Sequence, residues 1–322
     1  MKILVTGGAG FIGTNFIGYM LKKHPDYRIV CLDCLTYAAN TKELHGFEKN
    51  PAFTFVKGDI TDRKTVYSLF ESESFDAVIN FAAESHVDRS IESPDVFLST
   101  NVLGTGVLLD ACRLHGNIRF HQISTDEVYG DLPLDEGDPF TESSPLRPSS
   151  PYSASKASAD MLVLSYHRTF GLPVTISRSG NNYGPFQHSE KLIPLMIKKA
   201  LKGGNLPVYG NGENKRDWIF VSDHCEAIDI ILHEGKMGEI YNVGTENEKS
   251  NISTVKEILS LLGKGEKLIS FVNDRPGHDL RYSISCKKIK SELGWSASVC
   301  FEKGLAETVE HYRELYTKEE LK

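Results

Sequence analysis

Residues 6–13 read Thr-Gly-Gly-Ala-Gly-Phe-Ile-Gly, directly after the short apolar run 2–6 and directly before a segment of helical periodicity. A glycine-rich turn between a strand and a helix leaves few options. The chain must reverse tightly there, and the backbone must approach something closely. The rest of the first half repeats the strand-then-helix rhythm. Residues 28–33, 53–57, 77–81 and 119–124 are short, nearly continuous apolar runs, and 173–178 reads as a sixth strand. Such runs suit parallel strands covered on both faces. Residues 11–23, 63–70, 95–115 and 152–170 carry helical patterns between them. The alternation predicts an α/β fold with a doubly wound parallel sheet and right-handed crossovers.

After about residue 179 the pattern loosens, and Gly, Asn and Pro become frequent. Helical patterns return at 191–201, 222–233, 253–262 and 302–316. This reads as a smaller α+β lobe interleaved with the first. A chain of 322 residues exceeds the size at which one core usually stops growing. The expected division is 1–178 for the sheet domain, with 216–244 returning to it, and 179–322 for the second lobe. The formal charge of −7 argues against nucleic acid as a partner, so an anionic ligand must meet cations gathered in a cleft. No stretch is long and apolar enough to span a bilayer. Cys31 and Cys34 have C-x-x-C spacing, but no second pair and no paired histidines accompany them, so no metal is expected. Scattered free thiols suit a reducing cytoplasm.

Gly7, Gly10 and Gly13 have the spacing G-x-x-G-x-x-G, a variant of the Rossmann dinucleotide fingerprint. The helix that follows offers partial positive charge to a pyrophosphate. Asp33 stands 20 residues beyond Gly13, at the end of the second strand. A carboxylate there accepts hydrogen bonds from ribose hydroxyls, and it repels a 2′-phosphate. The expected cofactor is therefore NAD. Asp59 and Ile60 follow the third strand as candidate adenine contacts, and Ala82 and Ala83 are small enough to let a cofactor pass the sheet edge.

Tyr152 and Lys156 lie four residues apart at the start of a helix and share one face. A neighbouring ammonium and a cationic nicotinamide are expected to lower the phenol's pKa, so that it can take a proton from a sugar hydroxyl. Ser124-Thr125-Asp126-Glu127 ends the fifth strand, where ligands of open α/β sheets collect. Two adjacent carboxyl groups push one pKa up and separate an acid from a base, which suits elimination of water.

Taken together, the fingerprint and Tyr-x-x-x-Lys resemble the extended short-chain dehydrogenase/reductase family. Segments 32–40, 82–91, 124–130, 178–194, 207–225 and 274–282 resemble its dTDP-glucose 4,6-dehydratases, and the likeness runs from end to end. Thr-Asp-Glu is the most discriminating element, since the family's epimerases generally lack the acidic pair. The chain departs from the pattern at Ala39, Gly180, His188-Ser189 and Asn211. The resemblance implies a homodimer that dehydrates dTDP-glucose with one recycled NAD. It implies Thr125, Asp126, Glu127, Tyr152 and Lys156 as catalytic residues. It adds Phe11, Ile12, Leu35, Thr36, Phe81, Ser85, Thr100 and Asn182 to the cofactor contacts. Ser85, Thr125, Asn181, Lys191, Leu192, Pro207, Val208, Tyr209, Asn251, Asp274 and His278 become contacts of the nucleotide sugar. Arg216 and Arg275 become its pyrophosphate clamps, as planar guanidinium groups can hold phosphate oxygens bidentately.

Overall fold

The computed structural model describes residues 1–274 and 277–320. Six strands of the first half form as the apolar runs predict: β1 (Lys2–Thr6), β2 (Arg28–Asp33), β3 (Phe53–Lys57), β4 (Ala77–Asn80), β5 (Arg119–Thr125) and β6 (Val174–Ser179). The second half adds β7 (Asn181–Tyr183), β8 (Leu206–Tyr209), β9 (Lys215–Phe220), β10 (Ile240–Val243), β11 (Glu248–Ser250) and β12 (Ile269–Val272). The main sheet has seven strands in the order β10-β6-β5-β4-β1-β2-β3. Every pairing in it is parallel. The smaller sheets are β11-β9-β7 and β12-β8.

Strand periodicity explains why both faces need cover. Leu4, Val30, Val78, Phe120 and Ile176 point to one face, where they meet Val66, Leu108 and Val163 from three helices. Their neighbours Ile3, Val5, Ile29, Cys31 and Ile79 point to the other. There they pack on Phe16, Ile17 and Met20 of the helix Phe11–Lys23 and on Cys225, Ile228 and Leu232 of the helix Val221–Glu234. A second core, around Tyr183, Ile197, Val208, Trp218, Ile258 and Leu305, holds the other lobe. Trp218 is thus core.

The chain runs from β1 outward through β2 and β3, then crosses back to place β4 on the opposite side of β1. That reversal opens a crevice at the carboxyl ends of β1 and β4, the usual ligand position in such sheets. One predicted element differs in kind. The helix expected over 95–115 forms as an α-turn at Pro94–Phe97, a π-helical stretch at Leu98–Gly104, and an α-helix at Thr105–Leu114. Gly104 lies so close to Ile60 that a Cβ there would sit 2.6 Å from the Ile60 Cδ1. The Thr105 hydroxyl meanwhile donates to the Asn101 carbonyl at 2.7 Å. The wider turn aims Asn101 inward, as π-bulges often do near functional sites.

Candidate active site

The glycine loop is shaped by close approach. Gly7 has φ +67°, and a Cβ on it would fall 2.5 Å from the Ala82 nitrogen at the end of β4. A Cβ on Gly13 would fall 2.5 Å from the Gly7 carbonyl oxygen. Gly10 caps the following helix without a side-chain hydrogen bond. The first-turn N–H groups therefore remain available to an anion. Asp33 accepts from Ala9 N at 2.9 Å and from Leu35 N at 2.8 Å, which fixes its carboxylate at the rim. Only glycine lets the loop fold onto the end of β4 and onto itself here, because a Cβ at Gly7 or Gly13 would strike backbone. The free first-turn N–H groups and the Asp33 carboxylate at the rim are what suit a dinucleotide.

One cavity of about 500 Å³ joins this loop to the end of β5. Gly7, Gly10, Phe11, Ile12, Gly13, Asp33, Thr36, Asp59, Ile60, Phe81, Ala82, Ala83, Ser85, Thr100 and Asn182 all line it, with Tyr152 and Lys156. Leu35 is not in the wall and packs toward the core instead. Thr125, Asp126, Glu127, Asn181 and Lys191 share the same cavity.

The remaining nucleotide-sugar candidates lie outside that wall. Leu192 packs against the core of the smaller lobe, and Val208 is buried within it beside Pro207 of the same strand. Tyr209 is exposed, with its ring edge against His278, whose Nδ1 lies 2.6 Å from Asp274. Asn251 opens the helix Asn251–Leu261. Arg216 is buried, donates to the carbonyls of Asp279 (2.9 Å) and Lys215 (2.8 Å), and lies 4.3 Å above the Tyr282 ring. Arg275 falls outside the described residues.

Thr125 ends β5, and Asp126–Tyr129 turns away from it as one 3₁₀ turn. The Thr125 hydroxyl accepts from Glu127 N at 3.3 Å and donates to Asp126 Oδ1 at 3.2 Å. It is also hydrogen-bonded to Tyr152. Tyr152 stands at the start of the helix Pro151–Phe170, which begins with a Ser150–Ser153 capping box and Pro151 in the first turn. Those signals start the helix where the phenol faces β5. One turn on, the Lys156 ammonium donates to the Ile123 carbonyl at 2.6 Å.

Burial dominates the electrostatics. It lowers Lys156 to about 8. It raises Asp126 well above the carboxylate range, helped by the negative Glu127 and Asp217. The Asp126 Oδ2 is buried and has no hydrogen-bond partner among the described residues. Asp126 is thus held as a neutral acid. The protein's own groups raise the Tyr152 pKa, first by burial and then through the neighbouring carboxyl groups of Glu127 and Asp126. Lys156 does not outweigh them, because its ammonium is tied to the strand backbone. The lowering expected beside a cationic nicotinamide belongs to the cofactor-bound site.

Several residues of the site carried no sequence signal. Asn101 accepts from Glu84 N at 2.8 Å and donates to Ser155 Oγ at 2.8 Å, tying the loop after β4 to the Tyr152 helix. Below it, Asp160 Oδ2 takes hydrogen bonds from Arg178 Nε and Ser124 Oγ, both at 2.9 Å. His224 Nδ1 lies 2.8 Å from Asn182 Oδ1 and fixes that amide, while burial drops the imidazole to about 3. Glu84, Gln187 and Glu190 also line the cavity. Gly180, one of the departures, faces the Asp217 carbonyl oxygen, which a Cβ would meet at 2.7 Å.

The dinucleotide cradle and the Thr-Asp-Glu and Tyr-x-x-x-Lys groups define a Rossmann-type short-chain dehydrogenase/reductase. The family described as GDP-mannose 4,6 dehydratase matches residues 4–308. A dTDP-glucose 4,6-dehydratase of Haemophilus influenzae is 49% identical over 97% of this chain and 98% of its own length. The crystal structure of a dTDP-glucose 4,6-dehydratase of Streptomyces venezuelae, with NAD bound, superposes with a TM-score of 0.95 at 47% identity and covers 100% of both chains. A UDP-glucose 4-epimerase of Thermotoga maritima, at 28% identity, still reaches 0.91 over 98% of this chain and 100% of that one. Overall shape therefore does not separate dehydratase from epimerase, whereas sequence identity does. The chain belongs to this family of nucleotide-sugar 4,6-dehydratases, on its dTDP-glucose 4,6-dehydratase branch.

Proposed function

We propose that this chain is an NAD-dependent hydro-lyase that converts dTDP-glucose to dTDP-4-keto-6-deoxyglucose. The observation that carries the reading is the buried Asp126 beside Glu127, at the end of β5 and within one cavity with Tyr152 and Lys156. Bound NAD supplies a hydride acceptor for carbon 4 and later the hydride for carbon 6. The glycine cradle, Asp33, Asp59, Ile60, Thr100 and Asn182 hold it. Tyr152, bonded to Thr125, removes the proton from the carbon 4 hydroxyl. The resulting ketone acidifies carbon 5, so elimination follows oxidation. Glu127 takes the carbon 5 proton, and a proton returns to carbon 5 when carbon 6 receives the hydride. Asp126, which burial keeps protonated, gives its proton to the departing carbon 6 hydroxyl.

In the same reading Arg216, Asn251, Asp274, Arg275, His278 and the strand from Pro207 to Tyr209 receive the nucleotide and pyrophosphate. The sheet domain comprises 1–178 with 216–244, and residues 179–322 otherwise form the sugar-nucleotide lobe. The parallel addition of β10 beside β6 supports the return to the main sheet, while Lys215–Phe220 at the start of that segment pairs in the smaller sheet with β7 and β11. The enzyme is a homodimer. Leu98 and Leu103 on one helical stretch, and Met161 and Phe170 on the helix beside it, are exposed apolar side chains of the kind a second copy covers. It works in the cytoplasm, consistent with six free cysteines, and feeds the making of 6-deoxy sugars such as rhamnose. Among the described residues no helix is long and apolar enough to cross a membrane.

The test incubates the purified protein with dTDP-glucose, UDP-glucose and GDP-mannose in parallel and follows the 4-keto product. A 4-keto-6-deoxy sugar from dTDP-glucose, without net reduction of NAD, is the expected result. Product from GDP-mannose instead would move the chain to the other branch. No product from any of the three would remove the dehydratase reading.

A further inference from the structure

On the sheet face away from the Tyr152 helix, a second group of ligating atoms comes together. The C-terminal end of the helix Phe11–Lys23 brings His24, and the helix Val221–Glu234 brings Asp229 and His233 one turn apart. His24 Nε2 lies 3.0 Å from Asp229 Oδ1 and 3.1 Å from Oδ2. His233 Nδ1 lies 3.1 Å from Asp229 Oδ1. The nearest ligand atoms of all three side chains fall within 4.8 Å of one another. None of them lines the cavity. We propose that His24, Asp229 and His233 form a second site, which binds a divalent cation of the zinc class.

The donor set selects the metal. Two imidazoles and one carboxylate suit zinc, cobalt or nickel, whereas magnesium and calcium prefer all-oxygen shells. Zinc holds nitrogen and oxygen ligands at about 2.0–2.2 Å, so tetrahedral neighbours are separated by roughly 3.3–3.5 Å. The His–Asp contacts need to open by only a few tenths of an ångström to admit the ion. The burial is also suitable. The Asp229 side chain is 3% exposed, and those of His24 and His233 are 22% and 31% exposed, which leaves a path for entry.

The surrounding groups support the same assignment. His233 Nδ1 donates to the Asp229 carbonyl at 2.8 Å, and Nε2 lies 2.8 Å from the Tyr27 hydroxyl. An ion on Nδ1 would take the place of that carbonyl contact and move the ring proton to Nε2, where the Tyr27 oxygen can accept it and serve as the outer partner of a metal-bound imidazole. The His24 ring stacks on Tyr27 at 4.5 Å between centroids, which restrains its rotation. Besides the Asp229 carbonyl on His233 Nδ1, one cation opposes the ion: Lys23 Nζ holds Asp229 Oδ2 at 2.9 Å. Its side chain is 43% exposed and can swing into water when a doubly charged ion replaces it. The bound ion would clamp the far end of the cofactor-cradling helix to its neighbour. Sequence inspection gave no hint of this site, because His24 and Asp229 are 205 positions apart.

The experiment is calorimetric titration of zinc chloride into the full-length protein, with magnesium chloride as a parallel arm. Cobalt absorption separates this site from the thiols of Cys34 and Cys300. The expected result is one zinc per chain, no binding of magnesium, and tetrahedral cobalt bands without thiolate charge transfer. His24→Gln and His233→Gln should each weaken binding at least tenfold while turnover of the sugar nucleotide stays unchanged. Lys23→Met should tighten it. Absence of zinc binding would overturn the proposal, as would affinity unchanged in both histidine variants or a cobalt spectrum dominated by thiolate.

Discussion

Asp126→Asn tests both the catalytic assignment and its electrostatic basis. Burial first, and then Glu127 and Asp217, raise the Asp126 pKa well above the carboxylate range. The folded protein therefore holds a proton that the unfolded chain releases. Stability changes with pH in proportion to the protons bound by the unfolded state minus those bound by the folded state. That difference is negative here. Asp126 thus costs stability as pH rises from the ordinary carboxylate range until the buried group ionises. The slope for one proton is about 1.4 kcal/mol per pH unit. Asparagine has nearly the same shape, carries no charge, and can still accept from Thr125 through Oδ1. The variant should therefore gain on the wild type by about 1.4 kcal/mol for each pH unit across this window.

The assay is urea unfolding of both proteins at several pH values from about 5 to about 8, with the protomer concentration held fixed. Steady-state turnover and single-turnover reduction of NAD complete it. Losing a general acid should lower turnover by about 10²–10⁴-fold. Oxidation at carbon 4 precedes elimination, so reduced cofactor should still appear in a single turnover. Two results would refute the reasoning. A variant less stable than wild type by a constant amount at every pH would mean that Asp126 is ionised in the fold. Turnover within tenfold of wild type would remove it as the acid.

Three further outcomes follow from the same geometry. Gly13→Ala places a Cβ 2.5 Å from the Gly7 carbonyl, so NAD affinity should fall at least tenfold in a calorimetric titration. Burial lowers Lys156 to about 8, so between that pH and the ordinary lysine range the unfolded chain holds a proton the folded one has lost. This group's contribution to stability therefore rises with pH in that window, and Lys156→Met should abolish the rise in urea unfolding. Asp160→Asn leaves Arg178 buried without its ion partner, and should cost about 3–5 kcal/mol in the same measurement.

Sequence reading recovered the parts whose cause is local. β1, β2 and β4 are apolar on both faces, so hydrophobicity alone marks them, and in β3, β5 and β6 one apolar row remains, with Phe53 and Phe55, Phe120, and Val174 and Ile176. Gly7 and Gly13 are legible because close approach excludes every other residue. The strands from β7 to β9 and β11 to β12 were not read as strands. They are three to six residues long, and β11, for example, is the half-buried Glu-Lys-Ser. Their pairing depends on partners far along the chain, as in Glu248 opposite Asp217. The site divides in the same way. Thr125, Asp126, Tyr152 and Lys156 announce themselves by spacing. Asn101, Asp160, Arg178 and His224 act through contacts 17 to 54 residues away, and nothing in their neighbourhoods marks them.

The raised pKa of Tyr152 has a consequence for the order of events. The sequence reading relied on two cations, the lysine four residues away and an oxidised nicotinamide, to prime the phenol. Within the protein alone, Lys156 is anchored to the Ile123 carbonyl, and burial with two neighbouring acids raises the phenol's pKa. The protein alone therefore holds a proton on each group that must later exchange one, Tyr152 and Asp126. A positive charge arriving in the cavity acts on both in the same direction, since it favours phenolate and carboxylate alike. Burial makes that action strong, because little water screens it. In the proposed mechanism, proton removal from the sugar hydroxyl is in this way coupled to the presence of an oxidised, cationic acceptor beside Tyr152. Once that positive charge is gone, the phenol would regain its affinity for the proton, and Asp126 the neutral form that the proposal needs to protonate the leaving hydroxyl. Under that reading, arranging both groups around one change of charge lets a single buried site perform oxidation first and elimination second.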